Sequence, residues 1–259
     1  MTLTSFPEID EFLERYRILV LQTFTSNVVG IYLTGSLTYN DFNSKRSDID
    51  LQVILKKTVD SIYFSQIADL HKNLEIEFPK WKNRIESSYT PLHLLNEVLP
   101  PKEPRPWYGF GKLYEQADYG NEWIINTYIL QKFGIPLFGP DYNSLANRID
   151  ILEVKKACIK DFYKEWLPKT NIDSKSLDDP HIQSYVVLNI CRILYLIITG
   201  EFGSKTISST WIKTNIFPNW KQLITDAYNW EYGQNLNYKE EVIKFILESE
   251  EKLNDNIKL

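Results

Sequence analysis

Apolar positions recur at helical spacing through residues 9–24, where Phe12, Tyr16, Leu19 and Val20 share one face, and predict an opening helix. Residues 28–33 form a β-branched and apolar run that reads as a buried strand ending at Gly35-Ser36. A second strand with alternation spans residues 49–55, a helix follows over 61–74, and residues 84–89 form a third short strand. Residues 99–107, Leu-Pro-Pro-Lys-Glu-Pro-Arg-Pro-Trp, read as a loop, because their prolines lack donors. Gly134, Pro136, Gly139 and Pro140 mark a second break around a short apolar stretch. Beyond it the pattern is helical over residues 151–166, 182–198, 205–213, 220–230 and 239–253. An α/β first half and an all-helical second half are expected, with domains at 1–148 and 149–259.

Composition adds class and partners. The 259 residues are 43% hydrophobic and 24% charged, as in an ordinary globular protein. A net charge of −5 disfavours a polynucleotide partner and favours a cationic small molecule. Cys158 and Cys191 suit a reducing compartment, and His71, His93 and His181 are too scattered for a zinc site. The N-terminus lacks a basic leader, and the uninterrupted apolar run at 193–198 is too short for a bilayer. A cytoplasmic monomer without membrane or nucleic-acid partners is the expectation.

The chemistry concentrates in residues 35–51. A strand delivers the chain to Gly35-Ser36, where glycine permits close backbone approach and the turn offers N–H groups and a hydroxyl to phosphate. After eleven intervening residues come Asp48, Ile49 and Asp50. Strand periodicity puts both carboxylates on one face. Their repulsion calls for a cation, and hard oxygen ligands beside a phosphate site suggest Mg²⁺. If the strand carrying Glu86 adds next to residues 49–55, Glu86 completes a carboxylate triad.

Gly35-Ser36…Ser47-Asp48-x-Asp50 resembles the signature of the nucleotidyltransferase superfamily with the DNA polymerase β fold. A second block, Tyr185-Val-Val-Leu-Asn-Ile-Cys-Arg192-Ile-Leu-Tyr195, then Thr199-Gly200, Ser204-Lys205 and Trp211, is similar to the helical domain of its spectinomycin/streptomycin adenylyltransferase branch. Leu137-Phe138-Gly139-Pro140 resembles the join between those domains. The resemblance implies an α+β fold, a mixed sheet with helices followed by a helical bundle. It implies magnesium-dependent AMP transfer from ATP to a hydroxyl of an aminoglycoside-type acceptor. Asp48 and Asp50 would hold metal, and Glu86 would join them and act as general base. Gly35, Ser36 and Ser47 would hold the triphosphate, with Arg192 and Lys205 reaching ATP from the helical domain. Without the resemblance, Arg192 reads as a buried arginine paired with an acid. Glu122, with Asp118 close by, matches a family aspartate near the nucleotide, and Tyr232 or Trp230 a family tyrosine. Trp166 with Asp178 or Asp179 matches residues flanking the acceptor loop at 167–181. Trp107, Tyr108 and Phe110 either wall an acceptor pocket or pack in the core. Protein adenylylation by the same chemistry, a non-catalytic scaffold and polynucleotide synthesis are the competing readings.

Overall fold

The structure is a computed structural model that describes residues 3–171 and 175–257. The expected loop over 167–181 therefore lies partly outside the described residues. The chain divides into two compact units, residues 1–42 with 47–150, and residues 43–46 with 151–259.

The first unit is built on a six-stranded mixed sheet of order β5-β4-β3-β2-β1-β6. Its strands are β1 (Val28–Thr34), β2 (Ile49–Leu55), β3 (Ile85–Pro91), β4 (Arg105–Gly109), β5 (Lys112–Ala117) and β6 (Ile135–Phe138). Every neighbouring pair is antiparallel except β2 and β3. That parallel pair needs a crossover, which helix α2 (Ser61–Glu77) supplies. Asp60 starts α2 by accepting a hydrogen bond from the Ile62 N–H. Helix α1 (Pro7–Phe24) begins with proline in its first turn and buries Ile9, Phe12, Leu13, Tyr16, Val20 and Phe24. The α1 and α2 residues join Ile31, Leu33, Ile49, Leu51, Val53, Ile85 and Tyr89 in one hydrophobic cluster. Alternation thus gives one sheet face to the core and leaves the opposite face to Tyr32, Thr34, Asp50, Gln52, Glu86 and Ser88. Helix α3 (Glu122–Phe133) contacts β1 and carries residues that line the cleft on this second face.

Two sequence expectations change. The proline-rich segment does not remain a loop to Trp107, because Arg105, Pro106 and Trp107 open β4, which is paired on both sides. Pro106 is tolerated because the β4–β5 register shifts between Arg105 and Trp107, so the missing donor falls at an irregularity. The break at 134–140 contains β6, an edge strand in which Pro136 pairs opposite Tyr32. Strand β5 and helix α3 add elements that periodicity did not indicate. The β4–β5 hairpin turns on Phe110 and Gly111, both at positive φ (54° and 72°), the conformation of a tight hairpin turn.

The second unit centres on α5 (Pro180–Thr199), packed by α4 (Ile151–Asp161), α6 (Lys205–Asn215), α7 (Lys221–Asn229) and α8 (Lys239–Asn256). Helix α4 ends at Asp161 and one π-helical turn carries the chain to Trp166. By length and composition α5 could cross a membrane, but 61% of that apolar stretch is buried in the folded chain, as expected of a core helix. Gly200, at φ 80°, closes it. Buried polar groups fix the bundle: Ser184 donates to the Ala227 carbonyl (2.7 Å), and Gln183 bridges the Leu177 carbonyl and the Tyr238 N–H. Arg46, in the segment grouped with this unit, donates to the carbonyl oxygens of Ala227 and Tyr228. Both cysteines are buried and free.

His71 is fully buried in the first unit, stacked on Tyr108 with ring centres 3.9 Å apart and bonded through Nε2 to the Tyr89 hydroxyl at 2.9 Å. Burial lowers its pKa to about 3. Between there and the ordinary value near 6.5 the unfolded chain binds a proton that the folded chain refuses, so stability falls as pH falls through this window. His71→Phe removes that dependence. Urea unfolding at pH 7 and pH 5 should show the wild type losing about 2 kcal/mol more than the variant; parallel losses would contradict a buried neutral imidazole.

Candidate active site

The parallel register of β2 and β3 places Asp50 directly opposite Glu86, and the antiparallel register of β1 and β2 places Thr34 opposite Asp50. Gly35, next after Thr34, has φ 68°, and a side-chain carbon there would stand 1.9 Å from an Asp50 carboxylate oxygen. Glycine is required twice, by the backbone angle and by the carboxylate lying over it. Ser36 lies in the following one-turn helix (Gly35–Tyr39), whose geometry is closed by Thr38 donating to the Gly35 carbonyl at 2.8 Å. Gly35, Asp50 and Glu86 line one cleft together with Gln52, Ser88, Arg105, Trp107, Tyr119, Glu122 and residues of α3.

Asp48 and Ser47 precede β2. Arg84, its guanidinium over the Trp81 ring, hydrogen-bonds the Ser47 carbonyl and lies 4.0 Å from the Asp48 carboxylate. Among the described residues no three His, Cys, Asp or Glu side chains form a ready metal cage. Asp50 and Glu86 nevertheless fit Mg²⁺, because that ion binds through one or two carboxylates and takes its other ligands from water and substrate phosphates. Two in-register carboxylates also repel, which a cation between them relieves.

The floor of the cleft is a polar network that sequence reasoning missed. Arg105 is nine-tenths buried, with Nε donating to Ser88 Oγ (3.1 Å) and Nη1 to the carbonyl oxygens of Ala117 and Asp118. Its guanidinium lies 4.0 Å from the centre of the Tyr119 ring. The Tyr119 hydroxyl meets Thr90 at 2.9 Å, and Gln52 donates to Thr90 at 2.7 Å. Burial raises the Tyr119 pKa to about 12 and lowers that of Arg105. The available signal was an arginine between prolines directly before three aromatic-rich strand residues.

The other expected residues divide between the units. Glu122 opens α3, accepts from the Gly120 N–H (2.8 Å) and lines the cleft 3.8 Å from Arg105. Trp107 lines the cleft beside Tyr114, Tyr108 turns to the core against His71, and Phe110 is exposed at the hairpin turn. In the second unit Arg192 lies 5.4 Å from the centre of the Phe202 ring and contacts Asn189; among the described residues it makes no ion pair. Lys205 stands 5.4 Å from the Tyr185 ring centre. Trp166, Tyr185, His181, Trp230 and Tyr232 form a chain of ring contacts. Trp166 donates to Asp161, Asp178 pairs with Lys239 at 2.7 Å, and Asp179 caps α5 through the His181 N–H.

Residues 13–104 match the nucleotidyltransferase domain family, and residues 160–250 match the C-terminal domain of aminoglycoside adenylyltransferase. The chain belongs to the aminoglycoside nucleotidyltransferases. This nucleotidyltransferase is 23% identical to spectinomycin 9-adenylyltransferase of Staphylococcus aureus over 74% of each chain. Against the enzyme of the same name from Campylobacter jejuni it is 26% identical over 77% of this chain and 76% of the relative. Its fold is shared with the spectinomycin adenyltransferase of Enterococcus faecialis, solved with ATP and spectinomycin, at a TM-score of 0.74 and 17% identity over 95% and 99% of the two chains.

Gly35→Ala should be costly twice over. Left-handed backbone with a side chain costs roughly 1–2 kcal/mol, and displacing the Asp50 carboxylate by about 1 Å should cut nucleotidyl transfer on the order of 10²-fold. Urea unfolding with turnover at saturating ATP measures both; full turnover in a folded variant would show that this close approach is dispensable.

Proposed function

We propose that this enzyme transfers AMP from ATP, with magnesium, to a hydroxyl of an aminoglycoside or aminocyclitol antibiotic such as spectinomycin or streptomycin. One observation carries the reading: Glu86 sits in register with Asp50 beside Gly35, in a single cleft. The spectinomycin enzymes to which the chain is similar support the acceptor class.

Glu86 takes the proton from the attacking hydroxyl. The hydroxyl oxygen then bonds to the α-phosphorus, the α–β phosphoanhydride bond breaks, and pyrophosphate leaves in line. Gly35 and Ser36 hold the triphosphate through close backbone approach and a hydroxyl, with Ser47 as a further phosphate contact. Asp48, Asp50 and Glu86 are the oxygen ligands for Mg²⁺, which when bound neutralises charge on the phosphoryl and leaving oxygens. Arg192, Lys205, Glu122 and Tyr232 serve the nucleotide. Trp107, Trp166, Asp178 and Asp179 serve the acceptor, with the last two also committed to an ion pair and a helix cap.

Incubation with Mg-ATP and spectinomycin or streptomycin should raise the mass of one of them by one AMP group. Glu86→Gln should keep Mg-ATP binding and lower turnover by about 10²–10⁴. Full rate in that variant would remove Glu86 as the base, and unmodified antibiotics with wild-type enzyme would reject the acceptor class.

A further inference from the structure

Arg105 has work left over. Its Nε and Nη1 are used by Ser88 and by the carbonyl oxygens of Ala117 and Asp118. Among the described residues Nη2 makes no hydrogen bond; it forms an ion pair with Glu122 at 3.8 Å, a separation longer than a hydrogen bond. A nine-tenths buried guanidinium therefore presents unspent N–H donors while lining the cleft that holds Glu86.

Its position in the sheet says which ligand it meets. Nε bonds Ser88, the residue two beyond Glu86 on the same face of β3, about 7 Å along the strand. Gly35 follows β1, three strands from β4 and so roughly 14 Å across the sheet from it. Phosphate held at Gly35 and a base at Glu86 leave Arg105 on the far side of the base, in the part of the cleft it shares with Trp107, assigned above to the acceptor, and with Glu122, assigned to the nucleotide; the separate readings of acceptor kinetics and Mg-ATP affinity below tell the two apart.

Resting on the function proposed above, we propose that Arg105 is a specificity-determining residue whose Nη2 donates to a second oxygen of the acceptor, an ether, carbonyl or hydroxyl close to the hydroxyl under attack. The guanidinium cannot accept a hydrogen bond and repels an ammonium or guanidinium at that place. The acceptor is thus read as oxygen-rich on its reacting side, with its cationic groups directed elsewhere. Fixing the guanidinium by Ser88, two carbonyl groups and the Tyr119 ring sets the direction of Nη2 before the acceptor arrives.

The test compares wild type, Arg105→Met and Arg105→Ala with spectinomycin and Mg-ATP as probes, with thermal melts confirming that each variant is folded. The expected result is a loss of about 10–100-fold in kcat/KM for spectinomycin in Arg105→Met, the scale of a charged hydrogen bond. Titrated Mg-ATP affinity should stay within about twofold, and millimolar guanidinium should restore rate to Arg105→Ala. Arg105→Lys, which keeps the charge but not the fork, gives a folded intermediate if the smaller variants melt early, and should retain ATP affinity while its spectinomycin KM rises. Unchanged acceptor kinetics, a loss falling on ATP affinity, or failure of guanidinium to rescue a folded Arg105→Ala would each overturn the inference. Absence of transfer by the wild type sinks the functional reading and this one with it, whereas an active wild type with an unaffected Arg105→Met sinks only this one.

Discussion

The parallel pairing of β2 with β3 is the constraint on which the site depends. It sets Asp50 and Glu86 side by side, an arrangement that opposes itself electrostatically and is sustained by what surrounds it. Ile49, Leu51, Val53, Ile85 and Tyr89 on the opposite face are buried in the core, so neither strand can slip by one residue without exposing its apolar set. The core therefore holds in place a carboxylate pair that would otherwise separate. A single Cβ at Gly35 would collide with it.

The strands that carry the carboxylates were legible because they are buried on one face and therefore strongly patterned. Residues 28–33 are an apolar run, Ile49, Leu51 and Val53 alternate with Asp50 and Gln52, and Ile85, Ser87 and Tyr89 alternate with Glu86 and Ser88. The helices of the second half were legible for the same reason, and α5 most of all, since nearly every side chain from Val186 to Ile197 is buried. The β4–β5 hairpin was not. Pro106 reads locally as a loop, and β5 is an edge strand that is exposed along most of its length and shows little apolar periodicity. Helix α3 was hidden because it buries residues on more than one face, blurring its period.

Consequences for the site follow from that difference. The two aspartates were nominated from their spacing, and Glu86 on the condition that its strand add beside residues 49–55, which is the pairing the sheet has. Arg105 was marked only by its flanking prolines and the aromatic residues after them, because its place in the cleft comes from the β4 register and from contacts with Ser88, Ala117 and Asp118, which only the fold brings near. Asp178 and Asp179 illustrate the converse. Sequence marks both as available charges, while the structure gives one an ion pair with Lys239 and the other the cap of α5. Of three neighbouring aromatic residues, alternation sends Trp107 to the cleft and Tyr108 to His71, a division set by the strand that the prolines concealed.

The central claim is that this carboxylate pair is a divalent-cation site completed by nucleotide phosphates. Titrating Mn²⁺ into wild type and Asp50→Asn in the presence of a non-hydrolysable ATP analogue, with free Mn²⁺ followed by electron paramagnetic resonance, tests it without relying on turnover. The account predicts nucleotide-dependent Mn²⁺ binding by the wild type and at least about tenfold weaker binding by a folded Asp50→Asn, the scale for loss of a charged ligand. Equal Mn²⁺ affinity in the two proteins would contradict it.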